Sequence, residues 1–369
     1  MIIKCKKLNL LNGVQTVYKA VPSKTTMSIL ECILITASDD EITLTANDME
    51  IGIETKIEGS VIEEGIIALD AKILIEIVRK LPDSEVIINS DDELKTSITC
   101  EKSNFNIIGK SGDDFSYIPN IEKTEPLVIS QFTLKEIVIQ TIFSISDNIN
   151  NIIMTGEYFE VNEDNLKLVS LDGHRISIRN VKLKNSYDNK SVIIPGKTLN
   201  EISKILSGDA DKDIYIYITD KHILFEFDST KVVSRIIEGE YFKIDQMLSN
   251  DYETKIEVNR KELLNCIDRA TLLIKEGDKK PIIINVNEDN IQLKINSAVG
   301  SMNEEININK EGKNIIIGFN PKFIIDVLRV IDDEVISIYM INQKAPCFIK
   351  SDDGSYIYLI LPVNFNTVS

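Results

Sequence analysis

The chain has 369 residues, 43% of them hydrophobic, enough for two or three domains with cores of their own. Its formal net charge of −17 argues, taken alone, against nucleic acid as a partner. The five cysteines (Cys5, Cys32, Cys100, Cys266 and Cys347) are scattered without a CxxC pair, and there are two histidines, so a disulfide framework and a His/Cys zinc site are both disfavoured. No run of about 18 apolar residues occurs. The start, MIIKCKKLNLLNG, lacks a secretory h-region and cleavage site. A cytoplasmic location, no membrane partner and no cofactor are expected.

Taken in order, the pattern predicts six helices, over 6–20, 71–81, 134–146, 197–206, 259–275 and 321–331. The second carries Ile73, Leu74, Ile77, Val78 and Leu81 on one face and stops at Pro82. The fourth carries Leu199, Ile202, Ile205 and Leu206 and is followed by Gly208; the sixth carries Phe323, Ile324, Val327, Leu328 and Ile331. Lys72, Lys197 and Lys322 hold the same place in these three helices, 125 residues apart each time. Alternating strand runs broken by polar turns fill the rest, as in DIYIYITDKHILFEFDSTKVVSRII. The chain is therefore three duplicated domains (1–123, 124–251 and 252–369), each with two helices and roughly eight short strands. The fold class is α+β. The period is too long for a solenoid.

The helices do not share the charge of the chain. They hold fifteen Lys and Arg against six Asp and Glu, leaving −26 on everything else. If their polar faces point one way, a single basic surface results, suited to phosphate contact without base reading. Ordinary solvated helix faces are the plainer alternative.

The stretch LVSLDGHRISI places Asp172, Gly173, His174 and Arg175 side by side between strand-like edges. Asp172 and His174 could form an acid–base pair, because positions i and i+2 share a strand face. Yet no nucleophile–base–orienter set can be assembled, and there is no phosphate loop, GxGxxG, GxSxG or HExxH. Composition alone would make the terminal YLILPV a buried core strand ended by Pro362.

Together, the duplication and the segments LDGHRISI, VIIPGKTLNEISKIL, SRIIEGEYFKIDQML, IGFNPKFIIDVL and YIYLILPVN resemble the bacterial DNA polymerase III beta subunit family, the sliding clamps, nearly end to end. The resemblance implies a non-catalytic processivity factor with the DNA clamp fold, in which two chains form a head-to-tail homodimeric ring of six domains. Helices would line a hole around double-stranded DNA. The polymerase III alpha-type subunit, the clamp loader and repair proteins would dock short peptides in a cleft between the second and third domains. Carried over, Leu171, Gly173, His174, Arg175 and Ile176 form one wall, Leu359, Ile360, Leu361, Pro362 and Val363 the other, and Met154, Met247 and Pro346 the floor. DNA-facing positions would be Lys24 and Asn148 in loops, with Lys72, Arg79, Lys80, Lys197, Lys204 and Lys322 on helices; Arg79 and Lys80 could equally cap a helix C-terminus. The chain departs from the family at Asn151, Gln246 and Asn364, where arginine is common, and at Phe115-Ser116 and Tyr241-Phe242, where a proline is usual. A peptide-binding scaffold with no DNA role is the remaining alternative.

Overall fold

The structure, a computed structural model, describes residues 1–115, 118–274 and 280–365. Ser116 and Lys275 lie outside the described residues.

Among the described residues six α-helices form where the periodicity puts them: α1 (Lys7–Val17), α2 (Ala71–Lys80), α3 (Gln131–Ile139), α4 (Gly196–Ile205), α5 (Arg260–Thr271) and α6 (Pro321–Val330). Lys72, Lys197 and Lys322 are each the second residue of their helix, so the repeat is structural. Side-chain caps fix four of the starts; at α3 the Ser130 hydroxyl accepts from the Thr133 N–H at 3.1 Å. Asp70 accepts from the Ile73 N–H at 2.8 Å, Asn259 from Glu262 at 3.0 Å and Asn320 from Lys322 at 3.1 Å, with Pro321 at the first helical turn. Leu81 is extended at the end of α2, as a residue before proline should be.

The ends are shorter than the pattern suggests. The predicted 6–20 closes as a 3₁₀ turn at Tyr18–Ala20. The predicted 134–146 begins three residues early and breaks before a separate 3₁₀ turn at Ile142–Ser144. The six helices therefore hold twelve basic and six acidic residues, an excess of six where the longer spans predict nine, and Lys6 and Lys19 lie outside them. In α2 the buried stripe is Ala71, Leu74, Ile75, Ile77 and Val78, while Ile73 is exposed, because the i, i+3, i+4 face centres on Leu74 and Val78.

The chain forms two compact units. The first combines Met1–Thr133 with Glu201–Ile236; the second combines Leu134–Asn200 with the residues from Ile237 onward. In the first unit a five-stranded sheet runs in the order 59–63, 2–6, 85–90, 95–100, 103–108. A nine-stranded sheet runs 110–111, 65–70, 32–38, 41–47, 51–57, 230–235, 222–227, 213–218, 127–130. In the second unit a seven-stranded sheet runs 156–171, 175–195, 356–360, 347–350, 335–340, 254–259, 309–312, and a four-stranded sheet runs 300–307, 290–297, 282–286, 315–319. All pairings are antiparallel, and α1 with α2, and α5 with α6, pack as pairs.

Two of these sheets cross the boundaries between repeats. Ile51–Thr55 pairs with Thr230–Ser234, and Arg175–Arg179 pairs with Tyr356–Ile360. The second crossing positions the candidate site.

Candidate partner-binding site and the basic helix residues

Asp172 and Gly173 form the turn that aims the site. Asp172 Oδ1 accepts from the His174 and Arg175 N–H groups at 2.9 and 3.1 Å, and Gly173 takes a left-handed φ of +85°. A Cβ at Gly173 would meet nothing within 4 Å, so it is the backbone conformation, not space, that favours glycine. The imidazole of His174 is exposed and lies 6.1 Å, centroid to centroid, from Phe323. The Asp172 carboxylate serves the turn and Arg175, whose Nε it receives at 2.9 Å. The acid–base pair of Asp172 and His174 is therefore not formed.

Arg175 is 6% exposed. Its guanidinium also donates to Asp326 Oδ2 at 2.6 Å and to the Phe143 carbonyl, and it stacks 4.5 Å from the Phe323 ring centroid. Every one of these partners is on the face opposite Ile176, as strand alternation requires. Ile360 faces the same way, into the core that holds Val327 and Leu328 of α6. Arg175 and Ile360 thus anchor the wall from behind.

The front of that strand pair is apolar. Leu171, Ile176 and Leu359 are buried in one cluster with Val169, Ile178, Ile244 and Phe348, and Met154 and Leu361 pack against it. The Leu361 N–H donates to the His174 carbonyl at 2.8 Å, joining the two walls at their open end. Met247 stays 45% exposed nearby in sequence to Ile244; Pro346, Pro362 and Val363 are half-buried, and the Val363 N–H donates to Gly318 at 2.8 Å. Sequence reasoning missed Tyr158, Tyr241, Phe242 and Leu248, which pack on the same cluster. Tyr241 stacks on Tyr158 at 4.8 Å and donates its hydroxyl to the Val169 carbonyl at 3.2 Å. The tyrosine–phenylalanine pair thus packs here without the usual proline. Asn151, Gln246 and Asn364 lie on the surface or half-buried, and none brings a charge.

The cations called DNA-facing divide by partner. Arg79 and Lys80 both pair with Glu76, at 3.0 and 3.9 Å, and Lys204 pairs with Glu201 at 2.8 Å. Lys24, Lys72 and Lys322 are exposed with no ion pair among the described residues; Lys197 and Asn148 are exposed as well. Lys24, Lys72, Arg79, Lys80 and Lys204 belong to the first unit, and Asn148, Lys197 and Lys322 to the second.

One buried acid stands apart. Glu157 is fully buried, and neither of its carboxylate oxygens makes a sound hydrogen bond. Burial pushes its carboxyl up to about 8, against a smaller downward pull from Thr141. All five cysteines are free and buried, and burial pushes the Cys5, Cys266 and Cys347 thiols up to about 12. Among the described residues no three His, Cys, Asp or Glu side chains converge as a metal site, and no helix is long and apolar enough to cross a membrane.

A duplicated α+β chain whose sheets run across its repeats, with an apolar cluster at one crossing, is the architecture of a clamp. Family profiles for the DNA polymerase III beta subunit match in chain order: the N-terminal domain over residues 1–119, the central domain over 128–243 and the C-terminal domain over 245–364. The beta sliding clamp of Staphylococcus epidermidis is 33% identical over 364 residues, covering 96% of each chain. A DNA polymerase III beta subunit structure from Eubacterium rectale is 67% identical with a TM-score of 0.95, and the DNA polymerase sliding clamp of Bacillus subtilis is 33% identical with a TM-score of 0.95; each comparison covers 99% of this chain and all of the other. This chain belongs to the DNA polymerase III beta subunit family and is a DNA sliding clamp of replication.

Proposed function

We propose that two copies close head to tail into a ring around duplex DNA, with clamp domains at 1–123, 124–251 and 252–369, and that partner proteins dock short peptides on the trough beside Leu171, Ile176, Leu359 and Leu361. The observation that carries the trough is its construction: a buried apolar floor, half-exposed Met154 and Leu361 above it, and a wall fixed from behind by Arg175. Such a surface suits apolar anchors of an extended peptide, and Met adds adaptability toward several partners. His174 and Gly173 form its rim; Met247, Pro346, Pro362 and Val363 border it.

Two strand edges support the ring. Ser103–Ile108 ends the five-stranded sheet with Phe105 and Ile108 exposed, and Gly300–Asn307 ends the four-stranded sheet, with Val299 and Leu272 exposed. Unpaired edges with apolar side chains invite strand addition, and pairing two different edges gives a heterologous contact that closes by rotation. The ring holds DNA by topology, so weak contacts suffice: Lys24, Lys72 and Lys322 meet phosphates, exposed Lys197 and Asn148 add contacts, and Arg79, Lys80 and Lys204 contribute less because their carboxylate partners offset them. No chemical step is assigned to the chain. Polymerase III alpha-type subunit, clamp loader and repair proteins are the partners this reading implies, in the cytoplasm.

Light scattering should give about twice 41.6 kDa, and protein loaded on circular duplex should be lost when the circle is cut. A monomer at micromolar concentration, or equal retention on linear DNA, refutes the ring. The trough is tested separately by calorimetry with a Gln-x-x-Leu-Phe-type peptide. Leu361→Ala should weaken binding by about 1.5–3 kcal/mol, the value of one large buried side chain, and leave the mass unchanged.

A further inference from the structure

The repeat builds the same crossing twice. In the first unit Asp48 Oδ1 accepts from the Glu50 and Ile51 N–H groups at 3.0 and 2.8 Å, as Asp172 does for His174 and Arg175. Met49 stands where Gly173 does and adopts the same left-handed backbone, φ +76° against +85°. The Arg235 N–H donates to the Glu50 carbonyl at 3.0 Å, as Leu361 does to His174. Beside this turn lies a cavity of about 260 Å³, walled by Ile51, Gly52, Ile118, Pro119 and Val233, with Met49, Glu50, His222 and Arg235 also lining it.

Its character differs from the trough at Leu361. Arg235 replaces the apolar Leu361 at the matching position, and its guanidinium has no ion pair among the described residues. His222 is its cross-strand neighbour. Met49 holds a left-handed conformation that is strained for a non-glycine residue, and it leaves its side chain 49% exposed at the cavity. An apolar pocket beside an uncompensated guanidinium selects a ligand with a large apolar group next to a carboxylate. The volume is below that of a drug-sized site, so the ligand is small.

We propose that this cavity is a second binding site, taking the C-terminus of a partner chain that ends in a large apolar residue: the side chain enters between Ile51, Val233 and Pro119, and the main-chain carboxylate meets Arg235. Glu50, on the same rim, opposes the carboxylate and lowers the affinity. The site lies wholly within the first unit and stands independently of the peptide trough.

The chain's two histidines provide one reporter for each crossing, His222 for the cavity and His174 for the trough. The full-length protein, isotopically labelled at histidine, is titrated by NMR with N-acetyl-Leu-Phe bearing a free carboxylate, and with its C-terminal amide. The His222 signals should shift saturably with the acid, and the amide should bind at least fivefold more weakly. Arg235→Glu should weaken the acid about tenfold and Glu50→Gln should strengthen it. If His222 does not move, if only His174 moves, or if acid and amide bind alike, the proposal fails. The acid–amide comparison uses the unaltered protein, so it decides the matter even if a variant misfolds.

Discussion

The two crossings share a backbone and differ in what locks them. At Ile51–Thr55 with Thr230–Ser234, the lock is a pair of buried hydroxyls, Thr55 and Thr230, 2.8 Å apart. At Arg175–Arg179 with Tyr356–Ile360, it is a buried guanidinium shared among Asp172, Asp326 and the Phe143 carbonyl. Duplication preserves register, because a slip of one residue would turn every buried side chain outward. Side chains at the same register positions are free to diverge. The ionic crossing ties a turn, a strand and α6 into one backing, behind the apolar cluster of Leu171, Ile176 and Leu359. The hydroxyl crossing ties strands alone.

The comparison breaks first at Arg175. Arg175→Ala leaves two carboxylates half-enclosed without their cation and should cost about 3–5 kcal/mol, read as a fall in the urea midpoint by circular dichroism; a loss under 1 kcal/mol would mean that the network does not hold the crossing.

Next in size is Glu157, in the same unit. An ordinary glutamate titrates near 4.5 and this one near about 8. Below 4.5 both folded and unfolded chains hold the proton and stability is full. Between the two values only the folded chain keeps it, so stability falls as pH rises, by about 1.4 kcal/mol per unit and on the order of 5 kcal/mol in all. Glu157→Gln should flatten this slope and raise the melting temperature at pH 8. An unchanged slope in the variant would place the titration elsewhere.

The smallest effect belongs to the hydroxyl crossing. Thr230→Val should cost about 1 kcal/mol by leaving the Thr55 hydroxyl only its long contact, 3.4 Å, to the Ser229 carbonyl, and adding Thr55→Val should restore most of it. An additive double mutant would show that the two hydroxyls act separately.

Much of this was legible from the chain. The 125-residue spacing of Lys72, Lys197 and Lys322 fixed the repeat, and the 3.6-residue stripes fixed six helices, because both are local in sequence. Helix ends were overrun at Ala20 and Ser146, where 3₁₀ turns carry an apolar pattern onward after the α-helix has stopped. The trough was half visible. Strand alternation separates Ile176 and Leu359 from Arg175 and Ile360, a signal present in the sequence, whereas the family resemblance implies the LDGHR and LILPV segments whole. Tyr158 and Tyr241 were out of reach, since their stacking depends on a linker packing against a strand distant in sequence. Ion pairs such as Lys204–Glu201 show why charge counted along helices overstates a basic surface.

The crossings also set an order on synthesis. Thr55 meets Thr230 across 175 residues, so the nine-stranded sheet stays open while the ribosome makes more than a hundred residues beyond the first repeat. The seven-stranded sheet likewise awaits Tyr356–Ile360, made long after its partner Arg175–Arg179. Until then the newborn chain displays the unpaired edge of Ile51–Ile57 and later that of Arg175–Arg179, and loop closure of this length slows folding. A ribosome stall between residues 60 and 230 therefore leaves a sticky β edge exposed, a hazard that the finished protein does not share.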